Sequence, residues 1–211
     1  MKKLFTKLFP LLHKDVQPRK TKSPGQSLVE FAVALPLLVG ILVAMMEFGF
    51  ILNFYLSLLD ATRGAARYAS LANPLNADGT DDMNYYITTA ELVRTELDPP
   101  NTTEGRRLIL DPATDGVIVT VYCVVGGTVA TRYPDTGPYN TNPSVIASAF
   151  TTADIENTYI DGAPDAGLVL VEVYYGYRPV IGLFYNGKVT LRAHSIMPAN
   201  AADPLPGTGC Q

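Results

Sequence analysis

The chain has few of the residues that build catalytic and metal sites. It contains two histidines, His13 and His194, and two cysteines, Cys123 and Cys210. Neither histidine has a cysteine, serine or carboxylate at a spacing typical of a nucleophile, and metal sites usually need three or four ligands. No glycine-rich loop that would cradle a phosphate is present. We therefore expect a protein that is not an enzyme, with no catalytic residue, no metal and no cofactor.

Two cysteines also limit covalent crosslinking. Cys123 and Cys210 are compatible with a single disulfide in an oxidising compartment. They are equally compatible with a buried thiol at Cys123 and a free thiol near the C-terminus. The sequence leaves both interpretations open.

Basic residues are scarce after the first 25 positions. Seven of the 16 Lys and Arg residues precede Gly25, where the only acid is Asp15, whereas the rest of the chain holds nine basic and 19 acidic residues. This acidic excess argues against nucleic acid or anionic lipid as a partner of the C-terminal part. About 140 residues remain outside the basic segment and the apolar run described next, enough for one modest domain.

The longest apolar run covers residues 28–59 and contains only two ionisable side chains, Glu30 and Glu47. About 20 apolar residues cross the hydrocarbon core of a bilayer. The apolar region of a cleaved secretory signal is shorter, about 7–15 residues, so a retained membrane anchor is favoured. Positive flanks stay in the cytoplasm, and the C-terminal part is therefore expected outside.

We divide the chain into four parts. Residues 1–25 form a basic cytoplasmic leader, residues 26–70 a transmembrane helix with a protruding stalk, residues 71–197 an extracytoplasmic domain and residues 198–211 a flexible tail. Ser27 followed by Glu30 predicts a capping box at the helix start. On the stalk, an apolar face of Leu52, Leu56, Leu59 and Ala66 is expected to meet the outer domain or a neighbour.

The predicted fold class of the outer part is α+β and pilin-like. A second amphipathic helix over residues 84–97 precedes an antiparallel sheet of three to four strands. The strands are predicted at residues 117–125, 128–133, 168–177 and 188–196, and residues 108–110 are a candidate for a further short strand. Residues 134–166 are predicted as a long loop with one helical turn at residues 144–150.

Small residues recur every four positions in the apolar run, at Ala32, Pro36, Gly40 and Ala44, and Glu47 falls on the same side. Such a stripe lets another helix approach closely, which makes these five residues candidates for assembly. The alternatives are a chance pattern and a Glu47 side chain that extends to the outer interface.

The segment Gly25-Gln26-Ser27-Leu28-Val29-Glu30-Phe31 resembles the prepilin-peptidase site of type IV pilin-like proteins. The resemblance implies cleavage after Gly25, which would leave Gln26 as the first residue. Glu30 could then neutralise the new α-amino group of a neighbouring subunit, and each ion would offset the desolvation of the other. A capping role alone is the alternative for Glu30.

Three blocks together, at residues 26–36, 47–49 and 61–69, resemble the TadE-like family, pseudopilin-like proteins of the tight-adherence (Tad/Flp) pilus system of bacteria. Residues 171–197 are similar more loosely. The resemblance implies an inner-membrane protein that contacts the lipid bilayer, other pilin-like subunits, Tad assembly proteins and a prepilin peptidase. The alternative is an uncleaved single-pass protein whose outer domain binds a ligand or surface through residues 134–166.

Overall fold

A computed structural model describes residues 24–100, 108–159, 165–182 and 185–199. It contains a long N-terminal apolar helix, a second helix and an antiparallel sheet, which confirms the α+β class. In chain order, the elements are α1 (Pro24–Ala69), α2 (Met83–Leu97), β1 (Gly116–Val125), β2 (Thr128–Tyr133), β3 (Tyr139–Asn140), α3 (Thr152–Tyr159), β4 (Ala166–Tyr177) and β5 (Val189–Pro198).

The chain divides into two compact units, the first ending at Ala44 and the second beginning at Met45. The described part of the first unit is helical and its large apolar side chains are exposed to the surroundings. An apolar helix without protein cover is what a lipid solvent permits, because all backbone polar groups are satisfied within the helix. Helix α1 is long and apolar enough to span a membrane.

The start of α1 differs from the prediction. The described part of α1 already includes Pro24, so Ser27 lies inside the helix and the predicted capping box of Ser27 and Glu30 is not formed. Pro36 is accommodated within the helix.

In the second unit, α1 packs through small residues. Leu58, Ala61, Ala65, Ala66 and Ala69 are all buried. Their spacing of three and four residues forms one helical face, and the short side chains allow the helix to lie close to its neighbours. Of the predicted packing face, Leu59 and Ala66 take part in the core, whereas Leu52 and Leu56 are 46% and 49% exposed. A contact of Leu52 and Leu56 with a neighbour stays a prediction.

Helix α2 begins one residue before its predicted start. The Asp82 side chain accepts a hydrogen bond from the Asn84 N–H at 3.0 Å, which satisfies one of the free donors of the first turn. Tyr85 connects α2 with the end of α1 because its hydroxyl donates to the Ala69 carbonyl at 3.0 Å. Tyr86, in T-shaped contact with Tyr85, is completely buried.

The sheet has the strand order β2-β1-β4-β5, and β3 also pairs with β1; every pairing is antiparallel. The predicted strands at residues 117–125, 128–133, 168–177 and 188–196 are confirmed. The candidate short strand at residues 108–110 is not formed, because that segment is irregular and the Leu108 N–H donates instead to the Leu97 carbonyl at the end of α2.

Both faces of the sheet are covered. Val119 and Val171 are paired neighbours on the face that packs into the core cluster with α1 and α2. On the opposite face, Tyr122 and Leu170 pack with Ile155 of α3. The middle strands therefore consist of nearly continuous apolar residues rather than a strict alternation.

Residues 134–166, predicted as a long loop, contain the short strand β3 and the helix α3. The helical turn predicted at residues 144–150 is wrong. The backbone carbonyl of Asn142 instead accepts hydrogen bonds from the Val145 and Ile146 N–H groups in a short turn. Helix α3 begins later, at Thr152.

Candidate functional site

The candidate processing residues lie in the first turn of α1. Gly25, Gln26 and Glu30 are exposed, and the Gln26 Nε2 donates to Glu30 Oε1 at 3.1 Å. A Cβ added at Gly25 would meet no atom within 4 Å. Any requirement for glycine here would therefore come from an enzyme that binds this backbone, and not from the fold.

The small-residue stripe is open along the first unit. Ala32, Pro36 and Ala44 are exposed and Gly40 is partly covered. The surface that these residues offer could accept another helix at short distance, because small side chains let two backbones approach. Their role in assembly stays a prediction.

Glu47 is held by residues far away in the sequence. Its Oε1 accepts hydrogen bonds from the Tyr177 hydroxyl and from the Val180 N–H at 2.9 Å, and its Oε2 accepts from the Ile181 N–H at 3.0 Å. All four residues belong to the second unit. The carboxylate is therefore satisfied within this unit, an arrangement that neither sequence interpretation of Glu47 included.

The backbone after β4 explains how two successive N–H groups reach one carboxylate. Strand β4 ends at Tyr177, and the chain then bends through residues 178–182 to Gly182, which has a φ of +60°. A side chain at Gly182 would also meet Asn186 Oδ1 at 2.6 Å. Glycine is thus favoured at this bend for its conformation, whereas the Asn186 side chain could turn away from an added Cβ.

Aromatic rings hold the same part of α1 to β4. Phe54 is stacked on Tyr175 with ring centroids 6.0 Å apart and contacts Tyr177 edge to face at 5.3 Å. Burial, with the adjoining Glu47 carboxylate, raises the pKa of Tyr177 to about 12. The Tyr177 hydroxyl consequently keeps its proton and remains a hydrogen-bond donor at neutral pH.

A second carboxylate, that of Glu172, is completely buried on the other face of the sheet. It accepts hydrogen bonds from Ser148 Oγ at 2.5 Å, from the Ala149 N–H at 3.1 Å and from the Tyr174 hydroxyl at 3.1 Å. Buried charges need such partners. Glu172 thereby attaches residues 148–149 to the sheet, a role of the long segment that the sequence reasoning missed.

The sequence contains one sign of these hydrogen bonds to Glu172. Glu172 interrupts the apolar residues of β4, in the middle of a strand that is otherwise buried. A charged residue at such a position implies a polar partner, but its identity depends on how residues 134–166 fold.

The described residues contain no group of three or more His, Cys, Asp or Glu side chains that could hold a metal ion. His194 contacts the Phe150 ring at 4.7 Å, and Arg192 lies over the same ring. Burial lowers the pKa of His194, the positive charge of Arg192 acting in the same direction. His13 lies outside the described residues. The absence of catalytic residues, metal and cofactor remains an expectation.

Cys123 is completely buried in β1. Cys210 lies outside the described residues, so the possible disulfide between them stays a prediction. The leader at residues 1–23 and the tail from residue 200 onward also lie outside the described residues.

Part of this chain matches the model of a known protein family. The family model described as TadE-like protein matches residues 25–67, a segment that covers most of α1 and none of the later elements. No curated protein and no solved structure matches the chain. The match confirms, over these residues, the resemblance found in the sequence, and α1 is long and apolar enough to span a membrane.

Proposed function

We propose that this chain is a pseudopilin-like component of Tad/Flp pilus assembly or secretion, anchored in the membrane and acting by helix–helix association. One observation carries the proposal. The TadE-like match falls on residues 25–67, and these form an apolar helix whose side chains are exposed up to Ala44 except for partial cover at Gly40 and Val43. The family signature is thus in the part of the chain that would contact lipid and other membrane helices.

The proposed location is the bacterial inner membrane. The basic residues of positions 1–25 would remain in the cytoplasm, residues 26–70 would form the membrane helix and stalk, and the domain at residues 71–197 would lie outside. The charge difference between the two sides of the apolar run supports this orientation.

Association would use two features of α1. The stripe of Ala32, Pro36, Gly40 and Ala44 would let a second helix lie close. Glu30 would pair with the α-amino group of a neighbouring subunit after cleavage. The proposed partners are other pilin-like subunits and Tad assembly proteins, and a prepilin peptidase would be the processing enzyme.

Glu47 has a different place in this proposal. Its hydrogen bonds to Tyr177, Val180 and Ile181 support a role in fastening the domain to the helix that assembles. Forces on the helix would then be passed to the domain through the carboxylate and through the Phe54 ring contacts.

Intact mass of the protein purified from membranes of its host tests the processing step. We expect a mature chain that starts at Gln26, and we expect Gly25→Ala to retain the leader, since alanine fits the helix but restricts the approach of the peptidase to the backbone. A wild-type protein that keeps its leader would favour the alternative of an uncleaved single-pass binding protein.

Co-purification tests the association step. Glu30→Gln should leave membrane insertion intact but reduce the amount of other Tad proteins recovered with this chain, because the neutral amide cannot compensate the α-amino charge. Gln26→Ala is the matched control, since it removes the side-chain hydrogen bond to Glu30 but keeps the carboxylate. Equal recovery with Glu30→Gln and wild type would restrict Glu30 to a local role in the helix.

A further inference from the structure

The bend after β4 exposes apolar side chains that the core does not use. Val180 is 60% exposed and Ile181 40% exposed, although their backbone N–H groups are bound to Glu47. Exposed single apolar residues are ordinary on a protein surface. Val180 and Ile181, by contrast, are consecutive and lie in a bend that is hydrogen-bonded to α1.

The neighbouring surface of α1 in the same unit is also apolar and exposed. Met46 is 59% exposed and Phe48 65% exposed, on either side of Glu47. Val180 and Ile181 are thus bound to a part of the helix where the residues on either side of Glu47 are apolar and exposed. We refer to the bend, residues 178–182, as the collar.

Helix length places the collar relative to a bilayer. An α-helix rises 1.5 Å per residue, so about 20 residues cross a hydrocarbon core of about 30 Å. Counted from Leu28, where the apolar run begins, this distance ends at about Glu47. The carboxylate and the bend bound to it would then lie at the outer boundary of the hydrocarbon.

We propose that the collar is a second membrane contact, in which Val180 and Ile181 insert into the outer interface of the lipid bilayer and Glu47 sets their depth. The inference rests on the proposed anchoring of α1. Three hydrogen bonds satisfy the carboxylate, which allows it to lie at the edge of the apolar region without a water shell of its own.

The polar residues around the bend fit an interfacial position. Arg178, two residues before Val180, is exposed, and Tyr185 is 55% exposed after the bend. Basic and tyrosine side chains are typical of the boundary between lipid and water. The acidic excess of the domain makes a zwitterionic surface the suitable lipid, since the apolar side chains and not net charge would provide the attraction.

Tryptophan fluorescence can test the proposal because the chain contains no tryptophan. Full-length Val180→Trp protein is reconstituted in phosphatidylcholine vesicles whose lipids are brominated either near the headgroups or near the chain ends. We expect strong quenching by bromine near the headgroups and weak quenching by bromine near the chain ends. Ile181→Trp is the second probe of the same bend.

Two controls separate the collar from the anchor. Val145→Trp introduces the same change at a similarly exposed valine in the domain (55% exposed), and its quenching should be several times weaker. Phe48→Trp reports on the helix itself and should be quenched. Quenched Phe48→Trp together with Val180→Trp no more quenched than Val145→Trp would overturn the collar alone. An unquenched Phe48→Trp would overturn the anchoring and the collar with it.

The role of Glu47 needs one further variant. In the Val180→Trp background, Glu47→Ala removes all three hydrogen bonds to the bend, and quenching by bromine near the headgroups should fall because the depth of residue 180 is no longer fixed. Unchanged quenching would show that Glu47 does not set the depth of the bend.

Discussion

Glu47 and Glu172 are both carboxylates that are bound by donors from distant parts of the chain. Glu47 accepts from a hydroxyl and two backbone N–H groups, and Glu172 accepts from two hydroxyls and one N–H. Hydrogen bonds to a charged group are roughly twice as strong as those between neutral groups. Each glutamate therefore fixes a bend, at residues 180–181 for Glu47 and at residues 148–149 for Glu172.

Tyrosines dominate the response of the domain to high pH. Among the described side chains, seven tyrosines have a raised pKa, with burial as the largest cause in each, and Tyr177 reaches about 12. The pKa of an unfolded tyrosine is about 10. The folded state thus favours the protonated form, so this stability is fully present below about pH 10 and is lost as pH rises through the folded pKa values.

We therefore expect the near-UV circular dichroism of the full-length protein in micelles to stay constant up to about pH 10 and to decline toward about pH 12. Absorbance titration should show a late phase of tyrosine ionisation, and Tyr177→Phe should remove one tyrosine from it. Ionisation of all tyrosines near pH 10 in the folded protein would contradict the burial described here.

At the scale of elements, α1 consists of two helical parts with different surroundings. Up to Ala44 its side chains are exposed except for partial cover at Gly40 and Val43, whereas from Leu58 onward it buries a face made mostly of alanine. The first part satisfies the needs of a membrane helix, and the second part satisfies those of a helix packed against a sheet. One helix thus combines a segment suited to lipid with a segment suited to packing in a protein core.

A matched pair of leucines tests which face of α1 packs. Leu58 is completely buried and Leu56 is 49% exposed, on the same helix. We expect Leu58→Ala to cost about 2–5 kcal/mol of unfolding free energy, in line with other buried leucines, and Leu56→Ala to cost much less. Urea unfolding of the full-length protein in micelles measures both; equal losses would contradict the packing of α1.

Local signals explain the elements that the sequence predicted correctly. Helix α2 has Asp82 as its cap, and Pro99-Pro100 follows its end; the hairpin of β1 and β2 turns at Gly126 and Gly127, both with positive φ. These features depend on neighbouring residues only. The apolar composition of α1 was likewise sufficient to identify it.

Contacts between distant residues account for what was missed. Glu47 and Tyr177 are 130 residues apart in sequence, and no periodic pattern connects them. Helix α3 does carry a local signal in Thr151 and Asp154. The Thr151 N–H donates to the Asp154 side chain and the Asp154 N–H donates to the Thr151 hydroxyl, which is a reciprocal capping arrangement. The capping box predicted at Ser27 is absent since α1 already includes Pro24.

At the scale of the whole molecule, an apolar helix that matches the TadE-like model precedes an α+β domain. The family match is confined to residues 25–67, so the domain contributes features of its own. These are the Glu47 attachment to α1 and the Glu172 attachment of residues 148–149. The proposed location outside the inner membrane gives the domain access to other pilus components.

Protease accessibility in spheroplasts tests this central claim most directly. A protease added outside should digest the domain, with an epitope tag placed in the exposed turn at residues 143–145 lost before the membrane is permeabilised, while a cytoplasmic marker protein stays intact. The account predicts a membrane-bound chain whose tag disappears under these conditions. A tag that survives until the membrane is opened, or a full-length chain found in the soluble fraction, would contradict it.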